Sequence, residues 1–319
     1  MWNGLNQEII VYRYLVRSFQ EKYSFGSLGS LWNLLEKAGW KTVIRVVRPL
    51  LTEKHKEERI KWCEEHKVPS TTEDHVTVHV DEKWFFFAKK RQRLHVPPGI
   101  NPEPLHVIHK CHIPKVMVLA AIAKPSPTHN FNGCLGCWPV TEEKIAKRNS
   151  KNRPKGTVED VPTTLNGKLF IEMMKDNLGN EIIQKLSWAK EVTVQIDGAG
   201  GHSIKKSVNE LNNWGKNQVP KITVVVQPAR SPDLNALDLG AWTSLQATVD
   251  DYKDESLREQ YYEGRSETIL QKIITEAFIQ WANVDKLSKI FNTLQKQYQL
   301  VIDAKGDVVN PVHTKKTKK

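Results

Sequence analysis

Eight consecutive apolar residues, Val116 to Ala123, form the longest apolar run in the chain. With no polar face, such a run suits an inner strand of a sheet covered on both sides. It is far too short to cross a bilayer as a helix, which needs about 20 apolar residues. Upstream, Val76, Val78 and Val80 alternate with polar residues, which is the period of a strand. Short strands are also expected at 93–96 and 133–139. Beyond them the pattern alternates: helix 166–184, strand 192–196, helix 204–214, strand 222–226, helix 237–248, and helix 267–298 in two pieces. A meander of strands followed by strand–helix alternation predicts an α/β fold whose mixed sheet is flanked by helices on both faces.

The first 67 residues read differently. Helices are expected over 8–20 and 27–38, the second ending at Gly39, and a third from Thr52 through Arg59, Trp62 and Cys63. A short helix stopped by glycine behind another helix suits a helix-turn-helix, a pattern shared with many bundles. The expected organisation is a small N-terminal helical, partial helix-turn-helix segment (1–50), a helical linker (51–72), a catalytic-type core (73–250) and C-terminal helices with a basic tail (251–319). Within the core, 141–162 reads as a basic loop.

Charge narrows the partners. The chain of 319 residues carries a formal net charge of +11, which favours a polyanion. Three clusters hold the excess: Lys89, Lys90, Arg91 and Arg93; Lys144, Lys147, Arg148, Lys151, Arg153 and Lys155; and Lys315, Lys316, Lys318 and Lys319. Each alone is an ordinary solvated face, whereas three acid-free clusters suit a surface that tracks phosphates. The last also fits a nuclear import signal, so a nuclear protein without a membrane segment is expected. Four cysteines, Cys63, Cys111, Cys134 and Cys137, make no disulfide framework for this length. Cys134 and Cys137, with His109, Cys111 and His112 upstream, offer soft ligands for zinc, but a single CxxC without a second pair is weak.

Three acids stand at special places. Asp81 is expected to end the first strand, Asp197 follows strand 192–196, and Asp238 opens the helix after Ser231-Pro232-Asp233-Leu234-Asn235. Two carboxylates about 4 Å apart repel by roughly 4 kcal/mol at an effective dielectric near 20. Hard divalent cations relieve that repulsion, and a pair of them can activate a hydroxyl and stabilise the leaving oxygen of a phosphodiester. Each acid has a plainer reading. Asp197 beside Gly198 suits a turn, Asp233 after Pro232 suits a turn or helix cap, and alternation points Glu82 away from Asp81. Trp84 reads as core packing.

The strings Val78-His79-Val80-Asp81-Glu82-Lys83-Trp84-Phe85, Lys151-Asn152-Arg153-Pro154-Lys155-Gly156-Thr157 and Ser231-Pro232-Asp233-Leu234-Asn235-Ala236-Leu237-Asp238-Leu239-Gly240 resemble the mariner branch of the Tc1/mariner transposase superfamily, especially its plant and oomycete members. The resemblance implies a ribonuclease-H-like core in which Asp81, Asp197 and Asp238 are the catalytic, metal-holding acids, with Mg²⁺ or Mn²⁺ as two ions. It implies cleavage at terminal inverted repeats, strand transfer into TA targets and a homodimer in the synaptic complex. DNA contact is expected of Lys41, Arg45, Arg48, Lys147, Arg148, Lys151, Arg153 and Lys155. Two features depart from the pattern. Only 51 residues precede Thr52, so a shortened DNA-binding half is expected, and Asp197 is followed by Gly198 to Gly201. A transposase-derived DNA-binding protein and a ribonuclease-H-like nuclease acting on another nucleic acid are the competing readings.

Overall fold

A computed structural model of the chain describes residues 37, 50–67, 74–88, 113–149, 154–198, 202–253 and 266–309. The chain divides into two compact units, Met1–Pro49 and Leu50–Lys319, and all described residues except Lys37 belong to the second. The expected helices 8–20 and 27–38, the strand 93–96, and Lys41, Arg45, Arg48, Lys151 and Arg153 lie outside the described residues.

Helix α1 (Glu53–Lys67) leads into strands β1 (His75–Phe86), β2 (Lys115–Ala123) and β3 (Cys134–Pro139). A ribbon of β4 (Thr141–Ile145) and β5 (Val158–Pro162) follows. Next come α2 (Gly167–Glu172), a π-helical stretch (Met173–Gly179) and α3 (Asn180–Lys185). Strand β6 (Glu191–Ile196), helix α4 (His202–Gly215) and strand β7 (Lys221–Val226) alternate as expected. A π-helical turn (Leu237–Ala241) opens α5 (Trp242–Asp251), and α6 (Ser266–Trp281) and α7 (Val284–Asp303) complete the described elements.

The main sheet has the order β3-β2-β1-β6-β7. β1, β2 and β3 form an antiparallel meander, and β6 pairs parallel with both β1 and β7. The apolar run becomes β2, second from one edge. Val116, Val118, Ala120 and Ile122 enter one core cluster, and Met117, Leu119, Ala121 and Ala123 enter the other. Successive side chains of a strand point to opposite faces, so a strand buried on both must be apolar throughout. The first cluster is closed by α1, α5, α6 and α7, the second by α2, α3 and α4. No helix among the described residues is long and apolar enough to cross a membrane.

Two expectations are corrected. β1 does not end at Asp81 but runs on to Phe86, because Asp81 to Phe86 pair with Ala120 to Lys115 of β2. Asp81-Glu82-Lys83 resembles a strand end locally, and the ladder to β2 overrides that. Nor is 141–162 all loop: Thr141 to Ile145 pair with Pro162 to Val158 as a ribbon. Its strands are largely exposed, so no apolar alternation marks them in the sequence. The ribbon starts where Val140 donates its N–H to the Met117 carbonyl. Beyond its tip, Gly156 takes φ +90°, a conformation that favours glycine.

Candidate catalytic centre

The parallel pairing of β1 and β6 runs through His79↔Gln195. Asp81 and Asp197 each lie two residues further along, Asp81 within β1 and Asp197 just past the end of β6. The third acid arrives from the segment after β7. The Asn235 side-chain amide donates to the Val80 carbonyl at 3.2 Å, and the Ala236 N–H donates to His79 Nδ1 at 3.4 Å. That seats the segment on β1 just before Asp81, and Asp238 follows in the next turn.

Asp81 is half-buried, while Asp197 and Asp238 open to solvent. The indole N–H of Trp242 donates to Asp81 Oδ2 at 2.6 Å, and the Gly198 N–H donates to Asp197 Oδ1 at 2.6 Å. Asp81 and Asp238 lie close enough for each to influence the other's proton affinity. Desolvation pushes the Asp81 carboxyl above its ordinary range, and the charge of Asp197 adds to that. Asp238 is pushed up to about 7 by desolvation and by the charges of Asp81 and Asp197, against a downward pull from Lys83. Asp81 and Asp238 thus both feel the charge of Asp197, as carboxyls near a like charge must.

Glu82 is where reasoning from alternation stops short. It does point to the face opposite Asp81, but it then lines a recess of about 150 Å³ that Asp197 also lines. Val80, Ile196, Phe170, Asn166 and Ser207 form other parts of its wall. Although part of Glu82 reaches solvent, desolvation and the charges of Asp81 and Asp197 push its carboxyl up to about 7. Asp81 therefore faces the α5 side of the sheet and Glu82 the α2 side. The Glu82 role could be found only by knowing where Asp197 and Phe170 fall in space.

Other expectations resolve more simply. Asp233 does lie in a turn, the 3-10 segment Pro232–Leu234, but its side chain caps nothing: the buried carboxylate pairs with Arg59 at 2.7 Å. Trp84 packs, partly buried, against the α2-side cluster, with Lys115 Nζ 4.0 Å from its ring centroid. Cys137 is buried and its thiol is pushed upward by desolvation. Cys134 is pushed up to about 11 by the same cause. With them, no third metal-ligating side chain is grouped among the described residues, and His109, Cys111 and His112 lie outside those residues. Of the expected DNA contacts, Lys147, Arg148 and Lys155 are exposed on the connection between β4 and β5.

No three His, Cys, Asp or Glu side chains among the described residues are grouped closely enough to hold a metal ion. The donor chemistry of the aspartates fits a hard divalent cation nonetheless. They are oxygen donors, two of them solvent-facing, and desolvation together with the charge of Asp197 raises the proton affinity of Asp81 and Asp238. A cation removes the repulsion that keeps such carboxylates apart.

No protein-family model and no curated protein matches the sequence. Solved structures do match in shape. The Mos1 mariner paired-end complex with Mn superposes with a TM-score of 0.56 at 18% identity, covering 93% of this chain and 79% of that one. The Mos1 transposase paired-end complex with left transposon end gives 0.53 at 18%, covering 92% and 78%. The mariner Mos1 paired-end complex with Mg gives 0.51 at 15%, again covering 92% and 78%. The chain has the ribonuclease-H-like fold of the mariner transposases. At these identities the likeness is one of fold.

Proposed function

We propose that the chain is a mariner-like DNA transposase whose Asp81, Asp197 and Asp238 hold divalent metal for phosphodiester cleavage and strand transfer. The observation that carries this reading is that three separate segments bring these acids near enough for the charge of Asp197 to act on both Asp81 and Asp238. The shared fold and the sequence strings around Asp81 and Asp238 support it. So do the structural neighbours, which are Mos1 paired-end complexes with Mn, with Mg and with a left transposon end.

Bound metal, Mg²⁺ or Mn²⁺ and two ions in the full site, would lower the pKa of a hydroxyl nucleophile and neutralise charge on the leaving oxygen. Asp81 is held for this by the Trp242 indole, which leaves its other oxygen free of that bond. Asp197 and Asp238 open to solvent, where a phosphodiester can approach. Water as nucleophile gives hydrolysis of the strand, and a 3′-hydroxyl gives joining to target DNA. Lys147, Arg148 and Lys155 on the β4–β5 connection would contact phosphates, as would Lys41, Arg45, Arg48, Lys151 and Arg153. The partners proposed are terminal inverted repeats, a TA-containing target and a second copy of the chain in the synaptic complex, within the nucleus.

The test uses DNA carrying the inverted repeats that flank the chain's own coding sequence. Purified protein with Mg²⁺ or Mn²⁺ should cut at the repeat ends and join them at TA. Asp197→Asn should bind the same DNA and leave it intact. Specific binding by the wild type without cleavage under either metal would replace this reading with that of a transposase-derived DNA-binding protein.

A further inference from the structure

The π-helical turn bearing Asp238 is preceded by an unusually dense set of buried polar contacts. Arg59 of α1 has no solvent exposure. Its guanidinium grips Asp233 with both ends of the fork, Nη1 to Oδ1 at 2.7 Å and Nη2 to Oδ2 at 2.7 Å. Arg59 Nε donates to the Gly306 carbonyl at 2.8 Å. Gln297 of α7 donates to Asp233 Oδ2 at 3.2 Å and to the Val309 carbonyl at 3.0 Å.

The residues after Asp233 are tied in turn to the strands that carry the other two acids. Gln195 of β6, two residues before Asp197, donates to the Leu234 carbonyl at 2.9 Å. Asn235 donates to the Val80 carbonyl at 3.2 Å and accepts from the Leu237 N–H at 3.0 Å. The Ala236 N–H donates to Nδ1 of His79 at 3.4 Å, which requires the neutral ring that burial enforces. Residues 233–237 are thus fixed on one side by α1 and α7 and on the other by β1 and β6.

Stability alone gives little reason for such a pair. Burying two charges costs desolvation that an apolar pair of similar volume avoids, so replacing both is often neutral or stabilising. A two-pronged guanidinium–carboxylate bond does supply directional rigidity that an apolar contact lacks.

We propose that Arg59 is a positioning residue, which through Asp233 holds the 233–237 segment and so sets the place of Asp238 against Asp81 and Asp197. This rests on the reading that those acids bind the metal and carry the chemistry. Arg59 touches no reacting atom. It bonds no metal-holding residue and acts only through Asp233 and the segment that follows. The loss of about 10- to 100-fold known for direct outer partners of a metal ligand is therefore the ceiling for its effect.

Two variants test it in the full chain: Arg59→Lys, which keeps the charge and loses the fork, and the double Arg59→Met/Asp233→Leu, which replaces the pair by hydrocarbon. Hydrogen exchange of the 233–241 amides is measured without metal or DNA. DNA affinity, thermal melting and the Mn²⁺ concentration for half-maximal cleavage are measured alongside. A folded double variant should bind DNA as the wild type does, exchange faster over 233–241, and need more Mn²⁺, by at most about 10- to 100-fold. Arg59→Lys should shift in the same direction by less. Wild-type exchange and wild-type Mn²⁺ requirement in either folded variant would overturn the inference. A wild type that cuts no DNA would sink the functional reading instead, while exchange over 233–241 would still decide whether Arg59 holds the segment.

Discussion

Both faces of the sheet pack hydrocarbon, but they differ in the polar groups buried with it. Towards α2, α3 and α4 the core is hydrocarbon: Val76, Val78, Leu119, Phe170, Leu178, Ile182 and Leu211 pack together. Ser207 is the buried polar exception there among the described residues. Towards α1, α5, α6 and α7 the core contains Arg59, His79, Gln195, Asp233, Asn235 and Gln297, all buried and hydrogen-bonded. Apolar packing is tolerant of shape and has no direction. Buried polar bonds are directional and costly to leave unmade. The first face holds the sheet together, and the second fixes where Asp81 and Asp238 stand.

That contrast has measurable consequences. Replacing Asp81 or Asp238 by Asn removes a metal ligand outright, so metal-dependent cleavage should fall by more than the ~100-fold typical of losing an outer partner. Thermal melting without metal should not fall, since a repelling charge is removed. Loss of fold in these variants would show that the acids are structural. On the hydrocarbon face, Ile182→Ala should cost about 2 to 5 kcal/mol in denaturant unfolding. Its cleavage per folded molecule and its metal requirement should stay at wild-type values, and a raised metal requirement would erase the distinction between the faces.

Proton linkage gives a smaller effect of definite sign. Asp238 and Glu82 are pushed up to about 7 and Asp81 upward, so between the ordinary carboxylate range and pH 7 these three groups bind more protons folded than unfolded. His79 and His66, pushed down by burial, bind fewer. Without metal, the carboxyl contribution to stability should therefore fall as pH rises through that window, and the difference between wild type and Asp238→Asn isolates the Asp238 part of it from the histidines. Mn²⁺ competes with those protons, so the melting temperature it adds should grow from pH 5 to pH 8. A Mn²⁺ shift independent of pH would argue against binding at these carboxyls. Smallest of all, Glu82→Gln should lower cleavage less than about tenfold, milder than losing an outer-shell partner, and should raise metal-free melting at pH 8. A loss as large as that of Asp81→Asn would make Glu82 a full member of the centre.

Much of this was legible in the residues. The unbroken apolar run of β2 and the alternation of Val76, Val78 and Val80 yielded the mixed sheet, because periodicity records burial. Asp197 just past a strand and Asp238 at a helix start were legible, whereas Asp81 read as a strand end and lies within β1. What was hidden depends on distant pairing. β1 continues through Asp81-Glu82-Lys83 only because β2 lies beside it. Asp233 looked like a turn residue because its partner, Arg59, is 174 positions away. Glu82 was correctly placed on the far face from Asp81, yet the recess it shares with Asp197 exists only in the assembled fold.

Whether Asp81, Asp197 and Asp238 surround one metal site can be read from the protein backbone itself. Fe²⁺ substituted into the metal site and treated with ascorbate and peroxide generates hydroxyl radicals that cut the chain close to the ion. A shared site predicts cuts near residues 81, 197 and 238 together, all suppressed by excess Mg²⁺ and all weakened in Asp197→Asn. Cuts confined to one of these segments, or a pattern unchanged in Asp197→Asn, would contradict it.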